Sequence, residues 1–178
     1  LDAGLPVLCE KPLCGLGQLT EAEALLGHPN AGKVMVGFNW RYHPKLKELR
    51  QTCSYFFLGC VQHRQLPPWG LLLDHGSHDL DIASFICGPV LEVVKAKYTK
   101  SDDSELWVIE TSRGTIWEQV TRQPRERRAD LECDNDYLPL DPDPAMYMAM
   151  WEAFLSGQCA PGLAEAIETQ RLLEKCQE

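Results

Sequence analysis

The sequence predicts a two-part chain: the end of a doubly wound α/β domain, followed by an α+β domain built on an open, mainly antiparallel sheet. Three observations predict it. Two short apolar runs, residues 6–10 and 33–38, flank one helical stretch, which is the strand, helix, strand order of a parallel sheet. Four longer segments of strand type then follow one another, with Ser112-Arg113-Gly114 as a tight turn between two of them. The chain closes on two helical stretches separated by Gly157.

Taken in order, Leu1-Asp2-Ala3-Gly4 reads as the last turn of a helix closed by a glycine, so the sequence is expected to begin inside an element whose earlier part is absent. Pro6-Val7-Leu8-Cys9-Glu10 reads as a strand buried on both faces, ended by Lys11-Pro12, and residues 19–26 read as helix. Lys33 to Phe38 (KVMVGF) reads as a second buried strand. Two parallel strands and one helix leave sheet faces and edges uncovered, which makes this stretch the tail of a larger domain. From Pro44, Leu46 and Leu49 mark a short amphipathic helix, and Tyr55-Phe56-Phe57-Leu58 a strand. An apolar helix is expected over residues 71–87, and strands over 92–98, 105–111, 115–121 and 127–133. Pro139, Pro142 and Pro144 mark a linker, and residues 145–155 and 163–176 carry helical periodicity.

Composition narrows the function classes. With 44% apolar residues in 178, the chain can bury one good core. No apolar run approaches the roughly 20 residues needed to span a bilayer, and the start lacks the charged and apolar regions of an export signal. Eight cysteines lie singly, with no CxxC pair and no Asn-x-Ser/Thr site, so they are expected to be reduced thiols of a cytoplasmic protein. A net charge of -9 repels phosphate backbones, and the one basic cluster, residues 122–128, is interrupted by Pro124 and Glu126. Neither nucleic acid nor a membrane is an expected partner.

The helix over residues 71–87 carries the clearest chemical signal. Its apolar residues leave almost no solvent face, yet Asp74, His78 and Asp81 fall at i, i+4 and i+7 and share one side. A buried helix with one polar stripe lines a polar cavity. A neutral His78 near a helix N-terminus could accept a proton from an alcohol, with Asp74 holding the hydroxyl or countering the charge on the ring. The alternative is a core histidine satisfied by Asp74 or Asp81. A metal on Asp74, His75 and His78 is weighed too, but no other Cys or His pair has zinc-like spacing, and no metal is expected. Lys11 stands at the C-terminal end of a buried strand, where open α/β sheets place ligands, although a lysine reaching past a strand end to water is the commoner case. Gly15 and Gly17 form a GxG, but Thr20 occupies the third glycine position, so this is not a dinucleotide fingerprint. Tyr147, Met150, Trp151 and Phe154 form a helix stripe expected to be core packing.

Three segments resemble one family. Residues 3–13, AGLPVLCEKPL, resemble the "aGkhVlvEKPla" segment of the glucose-fructose oxidoreductase, inositol dehydrogenase and MocA (Gfo/Idh/MocA) family. Residues 36–44, VGFNWRYHP, resemble its "vgfnrRfhP" segment, and residues 72–81, LLDHGSHDLD, its "llDlGsHdiD" segment. The resemblance implies an α/β remnant of a Rossmann domain over residues 1–42 and an α+β substrate-binding and oligomerisation domain over 43–178. It implies an NAD- or NADP-dependent oxidoreductase acting on a secondary alcohol of a sugar, polyol or sugar acid. Lys11, Asp74 and His78 correspond to its catalytic residues. Glu10, Lys11, Pro12, Trp40 and Arg41 would border the nicotinamide. His78 would take the hydroxyl proton while hydride leaves for nicotinamide C4. A homo-oligomer through the antiparallel sheet is expected.

Two departures accompany the match. No glycine-rich phosphate loop is in the sequence, so this chain alone is expected to bind NAD(H) or NADP(H) weakly or not at all. The segment between Val61 and Leu71 is shorter than usual in the family, with Leu66-Pro67-Pro68-Trp69 leading almost directly into the site helix. A second reading follows, a non-catalytic remnant whose open sheet is an interaction or dimerisation surface.

Overall fold

The computed structural model describes residues 1–63, 70–88, 91–121, 128–134 and 136–178. Residues 64–69, which include Leu66-Pro67-Pro68-Trp69 in the short connection from Val61 to Leu71, and all of the basic cluster except Arg128 lie outside the described residues. No helix among the described residues is long and apolar enough to cross a membrane.

Gly4 adopts φ +67° and its N–H closes a turn on the Leu1 carbonyl. β1 (Val7–Cys9) and β2 (Val34–Val36) pair in parallel, Val7 opposite Val34, with α1 (Leu19–Ala24) between them in sequence. β2 is wholly buried, because Val36 N–H donates to the Pro161 carbonyl on its outer edge, while Leu163 and Ala166 pack with Val34, Val36 and Phe38. β1 departs from the expected two-sided burial: Val7, Leu8 and Cys9 are each half-buried, since β2 is the one strand bordering it among the described residues.

The second sheet has six strands in the order β4-β5-β6-β3-β7-β8: β3 (Phe56–His63), β4 (Val93–Lys100), β5 (Ser104–Thr111), β6 (Gly114–Thr121), β7 (Arg128–Cys133) and β8 (Asp136–Pro139). Every pairing is antiparallel except β3 with β6. The predicted turn at residues 112–114 is present, held by Thr111 Oγ1, which accepts from Gly114 N at 2.9 Å. Gly114 is obligatory there: a Cβ would stand 2.0 Å from the Phe56 carbonyl oxygen. Residues 136–139 form an edge strand where the three prolines predicted only a linker. Pro139 is tolerated because it ends that edge strand.

Phe56, Leu58, Ile109, Ile116 and Leu131 project from one sheet face onto Leu80, Ile82, Ala83 and Ile86 of α3 (Ser77–Cys87). The predicted helix over 71–87 thus exists, opening with a π-helical turn at Leu72–Gly76 and closing at Gly88 with φ +82°. Such π turns recur at functional sites. α2 (Pro44–Glu48) leads toward β3, and α4 (Pro144–Leu155) is capped by Asp143, whose carboxylate accepts from Ala145 N at 2.8 Å. α5 (Leu163–Lys175) bridges both sheets: it covers β2, packs on α3, and accepts Gly17 N–H on Glu174 while Gln170 donates to the Gly15 carbonyl.

Two expectations are corrected. Within the α4 stripe Met150 is buried, but Tyr147 and Trp151 are about half exposed, because the ridge turned inward is Met146 with Met150. Of the eight cysteines, Cys53 and Cys133 form a disulfide, their Cα atoms 5.8 Å apart. The antiparallel register, which sets Phe56 opposite Cys133, brings together two cysteines that lie 80 residues apart in sequence.

Candidate active site

The site forms where the parallel strands end. Past β1 come Glu10, Lys11 and a cis peptide to Pro12. Past β2 comes Gly37, whose N–H donates to Cys9 O at 2.8 Å. The Glu10 carboxylate lies against Gly37, 3.2 Å from where a Cβ would be, so only glycine leaves it that place without a shift.

Lys11 crosses from this strand end to the π turn, where its ammonium donates to the Asp74 backbone carbonyl and lies 3.3 Å from Asp74 Oδ1. Both side chains are mostly shielded, at 13% and 17% exposure, so the pair is screened less than a surface one. Asp74 Oδ2 lies 3.6 Å from His75 Nε2, and the Ser77 hydroxyl donates to the Asp74 carbonyl. His78 follows one turn later, half-buried and edge-on to Phe38 at 6.3 Å between ring centres. His75, His78, Asp79, Trp40 and Cys60 share the wall of a small void of about 20 Å³. That is room for about one water molecule.

The polar stripe does not stay together. Asp81, 1% exposed, is taken by Arg41, whose Nε donates to Oδ2 at 2.9 Å and Nη2 to Oδ1 at 2.7 Å. Thr169 Oγ1 of α5 donates to the same Oδ1 at 3.2 Å. Burial pushes the Asp81 carboxyl up, and Arg41 pulls it back. Arg41 also lies over the Phe85 ring, 5.4 Å from its centre. Asp81 is therefore part of a buried pair that ties residues 39–42 to α3 and α5, and Arg41, expected beside the cofactor, is held by it. Trp40 is 7% exposed and stands between the void and the core.

The structure thus joins Lys11 to Asp74 directly and sets His78 on the same helix; Glu10 and Pro12 flank Lys11 at the strand end, whereas Trp40 is buried in the core beside the void. Sequence reasoning missed three residues. His75, weighed only as a metal ligand, brings its Nε2 to 3.6 Å from an Asp74 carboxylate oxygen. Asp79, on the site helix, and Glu118, on β6 beneath it, are buried carboxyls. The signal for Glu118 was legible: it sits in phase with Ile116 and Val120 on the inward row of β6. Chemically, an ammonium and a carboxylate at a strand end, with imidazoles beside them, can hold a hydroxyl group and move its proton.

No family model matches the chain. Among curated proteins it is similar to inositol 2-dehydrogenase 2 of Saccharopolyspora erythraea, 30% identical over 137 residues, which is 64% of this chain and 40% of that protein. Inositol 2-dehydrogenase of Corynebacterium glutamicum is 31% identical over 117 residues, covering 57% of this chain and 34% of its relative. The matched stretch thus spans about two fifths or less of these relatives' lengths. Among solved structures, the WlbA dehydrogenase from Thermus thermophilus in complex with NAD and UDP-GlcNAcA superposes with a TM-score of 0.74 at 16% identity, over 99% of this chain and 66% of that one. A myo-inositol dehydrogenase from Corynebacterium glutamicum superposes with a TM-score of 0.74 at 21% identity, over 99% and 71%. These likenesses show the fold.

Proposed function

From the premise that the chain belongs to the Gfo/Idh/MocA family of oxidoreductases, we propose that it supplies the substrate side of a nicotinamide-dependent dehydrogenase acting on a secondary alcohol of a sugar, polyol or sugar acid. The observation that carries this is the contact of Lys11 with Asp74, which fastens the EKP strand end to the turn bearing His75 and His78. Residues 1–42 belong in this reading to the dinucleotide-binding part and 43–178 to the substrate part.

The residues fit a nicotinamide. The parallel strand ends form the mouth where such sheets take ligands, and Glu10, its carboxylate lying against Gly37, borders it together with Lys11, Pro12 and Trp40. Arg41 contributes by fixing residues 39–42 through Asp81. Bound there, NAD or NADP supplies the hydride acceptor. His78 accepts the proton of the alcohol as general base. Lys11 donates to the reacting oxygen and steadies its developing charge, while Asp74 keeps Lys11 in place. Phe38 packs edge-on against the imidazole, and Trp40 walls the small void beside it. The relatives named as inositol dehydrogenases favour a polyol substrate.

The test uses this chain joined to the N-terminal part of a relative. General-base removal slows such a step by about 10²–10⁴-fold, so His78→Asn lowers turnover on that scale and leaves cofactor affinity and melting temperature nearly unchanged. Lys11→Met lowers both turnover and substrate affinity. Near-normal turnover of folded His78→Asn removes His78 from the mechanism.

A second proposal concerns assembly. The sheet face turned away from α3 holds a hollow of about 450 Å³ walled by Phe57, Val61, Trp117 and Tyr137, with Phe57 and Tyr137 well exposed. An apolar face of this kind favours self-association into a homo-oligomer.

A further inference from the structure

α2 starts at Pro44 and turns Leu46 into the core, which leaves Lys47 and Arg50, three residues apart, exposed on its outer side. Lys47 lies over the Tyr42 ring, 5.1 Å from its centre. Arg50 lies over the Phe85 ring at 5.6 Å, and the same ring carries Arg41 at 5.4 Å. Cations held against rings in this way keep their hydrogens turned outward for a ligand. Neither Lys47 nor Arg50 has a carboxylate partner among the described residues. Arg41 holds Asp81 with Nε and Nη2, and its Nη1 has no acceptor among them.

These three cations border one hollow of about 350 Å³. Its opposite wall is the connection from α4 to α5, with Gln158, Ala160 and Pro161, and the Tyr42 hydroxyl fastens the two walls by donating to the Ala160 carbonyl. Glu165 is the one carboxylate bordering the hollow among the described residues. Its Oε2 accepts the Gly162 N–H at 3.0 Å in the first turn of α5, where the helix N-terminus offsets its charge.

Two neighbouring cations without an acid between them repel, and they stand out in a chain of net charge -9 with 26 acidic and 17 basic residues. An anion in the hollow removes that repulsion. A single carboxylate balances one of the two cations. A phosphate ester, with about -1.5 to -2 charges at neutral pH and three acceptor oxygens, balances both. The volume lies within the range of small-molecule sites, roughly 300–1,000 Å³, so an organic body fits beside Phe85 and Pro161.

We propose that the hollow between α2 and the α4–α5 connection binds the phosphate group of a small, sugar-sized phosphate ester, with Lys47, Arg50 and Arg41 Nη1 as donors. The site rests on the geometry of this chain and not on the function proposed above. Because Arg41 also holds Asp81, an anion bound there steadies residues 39–42 on α3.

The test is calorimetric titration of this chain with four probes: glucose 6-phosphate, inorganic phosphate, glucose and succinate. Glucose 6-phosphate is expected to bind, inorganic phosphate to bind more weakly, and glucose and succinate to give no measurable heat. Lys47→Gln and Arg50→Gln change exposed side chains outside the core, and each is expected to weaken glucose 6-phosphate about tenfold or more, as loss of a charge-assisted hydrogen bond does. Lys11→Met is expected to leave its affinity unchanged. Inorganic phosphate bound as tightly as the ester, with the same loss in both Gln variants, keeps the phosphate site and makes free phosphate its occupant. No binding of either phosphate, succinate bound as tightly, or affinity unchanged in both Gln variants overturns the site. Affinity lost in Lys11→Met and kept in the Gln variants places the phosphate at the candidate active site and overturns it equally.

Discussion

Among the described residues, replacing Arg41 with Met removes the one cation that faces Asp81 and leaves a carboxylate that is 1% exposed with Thr169 as its remaining donor. The lost contacts are both arms of the bidentate pair, at 2.9 and 2.7 Å. Breaking a buried pair by removing one partner costs about 3–5 kcal/mol. The lower end applies, because Arg41 is 14% exposed and the Thr169 hydroxyl stays. About 3 kcal/mol is a large share of a typical stability of about 5–15 kcal/mol, and for a chain of this size it lowers Tm by roughly 6–12 °C. The deficit also depends on pH. Without Arg41, burial is opposed only by the Thr169 hydroxyl, and the folded-state value of Asp81 rises further above the unfolded 3.8. A raised carboxyl keeps its full stability below the unfolded value and loses it as pH rises through the folded one, so Arg41→Met is nearest to wild type in acid and furthest at neutral pH. Scanning melts across that range measure both effects, and Arg41→Met/Asp81→Leu is expected to recover most of the loss. Melting within about 2 °C of wild type at neutral pH, by the same scaling of Tm with stability, would refute a buried pair tying residues 39–42 to α3 and α5.

Gly114→Ala forces a methyl group to 2.0 Å from the Phe56 carbonyl and is expected to cost about 3 kcal/mol or more, read as a lower urea midpoint; an unchanged midpoint would mean the β3 and β6 backbones are not so close. Sedimentation of the completed protein is expected to give an oligomer that Trp117→Glu or Phe57→Glu dissociates, and a strict monomer counts against the open sheet as an interface.

Period and punctuation made much of the fold legible. The strand, helix, strand start, the Ser112-Arg113-Gly114 hairpin and the helix over 71–87 follow from short-range pattern, which is where sequence carries most information. The edge strand at 136–139 was hidden because prolines mark linkers and tolerated edges alike. The disulfide was hidden because it depends on the register of β3 against β7, a long-range property. The exposed Tyr147 and Trp151 show that helical spacing defines a face without saying what covers it. In the site, a strand-end lysine and an i, i+4 pair of Asp74 and His78 could be read directly. Arg41 could not, because its partner Asp81 lies 40 residues away and competes for it before any ligand does.

The most direct test of alcohol oxidation at this site is transfer of deuterium from the carbinol carbon of a labelled polyol such as inositol to the nicotinamide ring. It is measured by mass spectrometry on the chain completed with a relative's N-terminal part. With Lys11, Asp74 and His78 intact, the nicotinamide is expected to gain one deuterium per turnover, and His78→Asn to slow that gain while binding the cofactor as before. A folded protein that binds both cofactor and polyol yet transfers no deuterium would contradict the assignment.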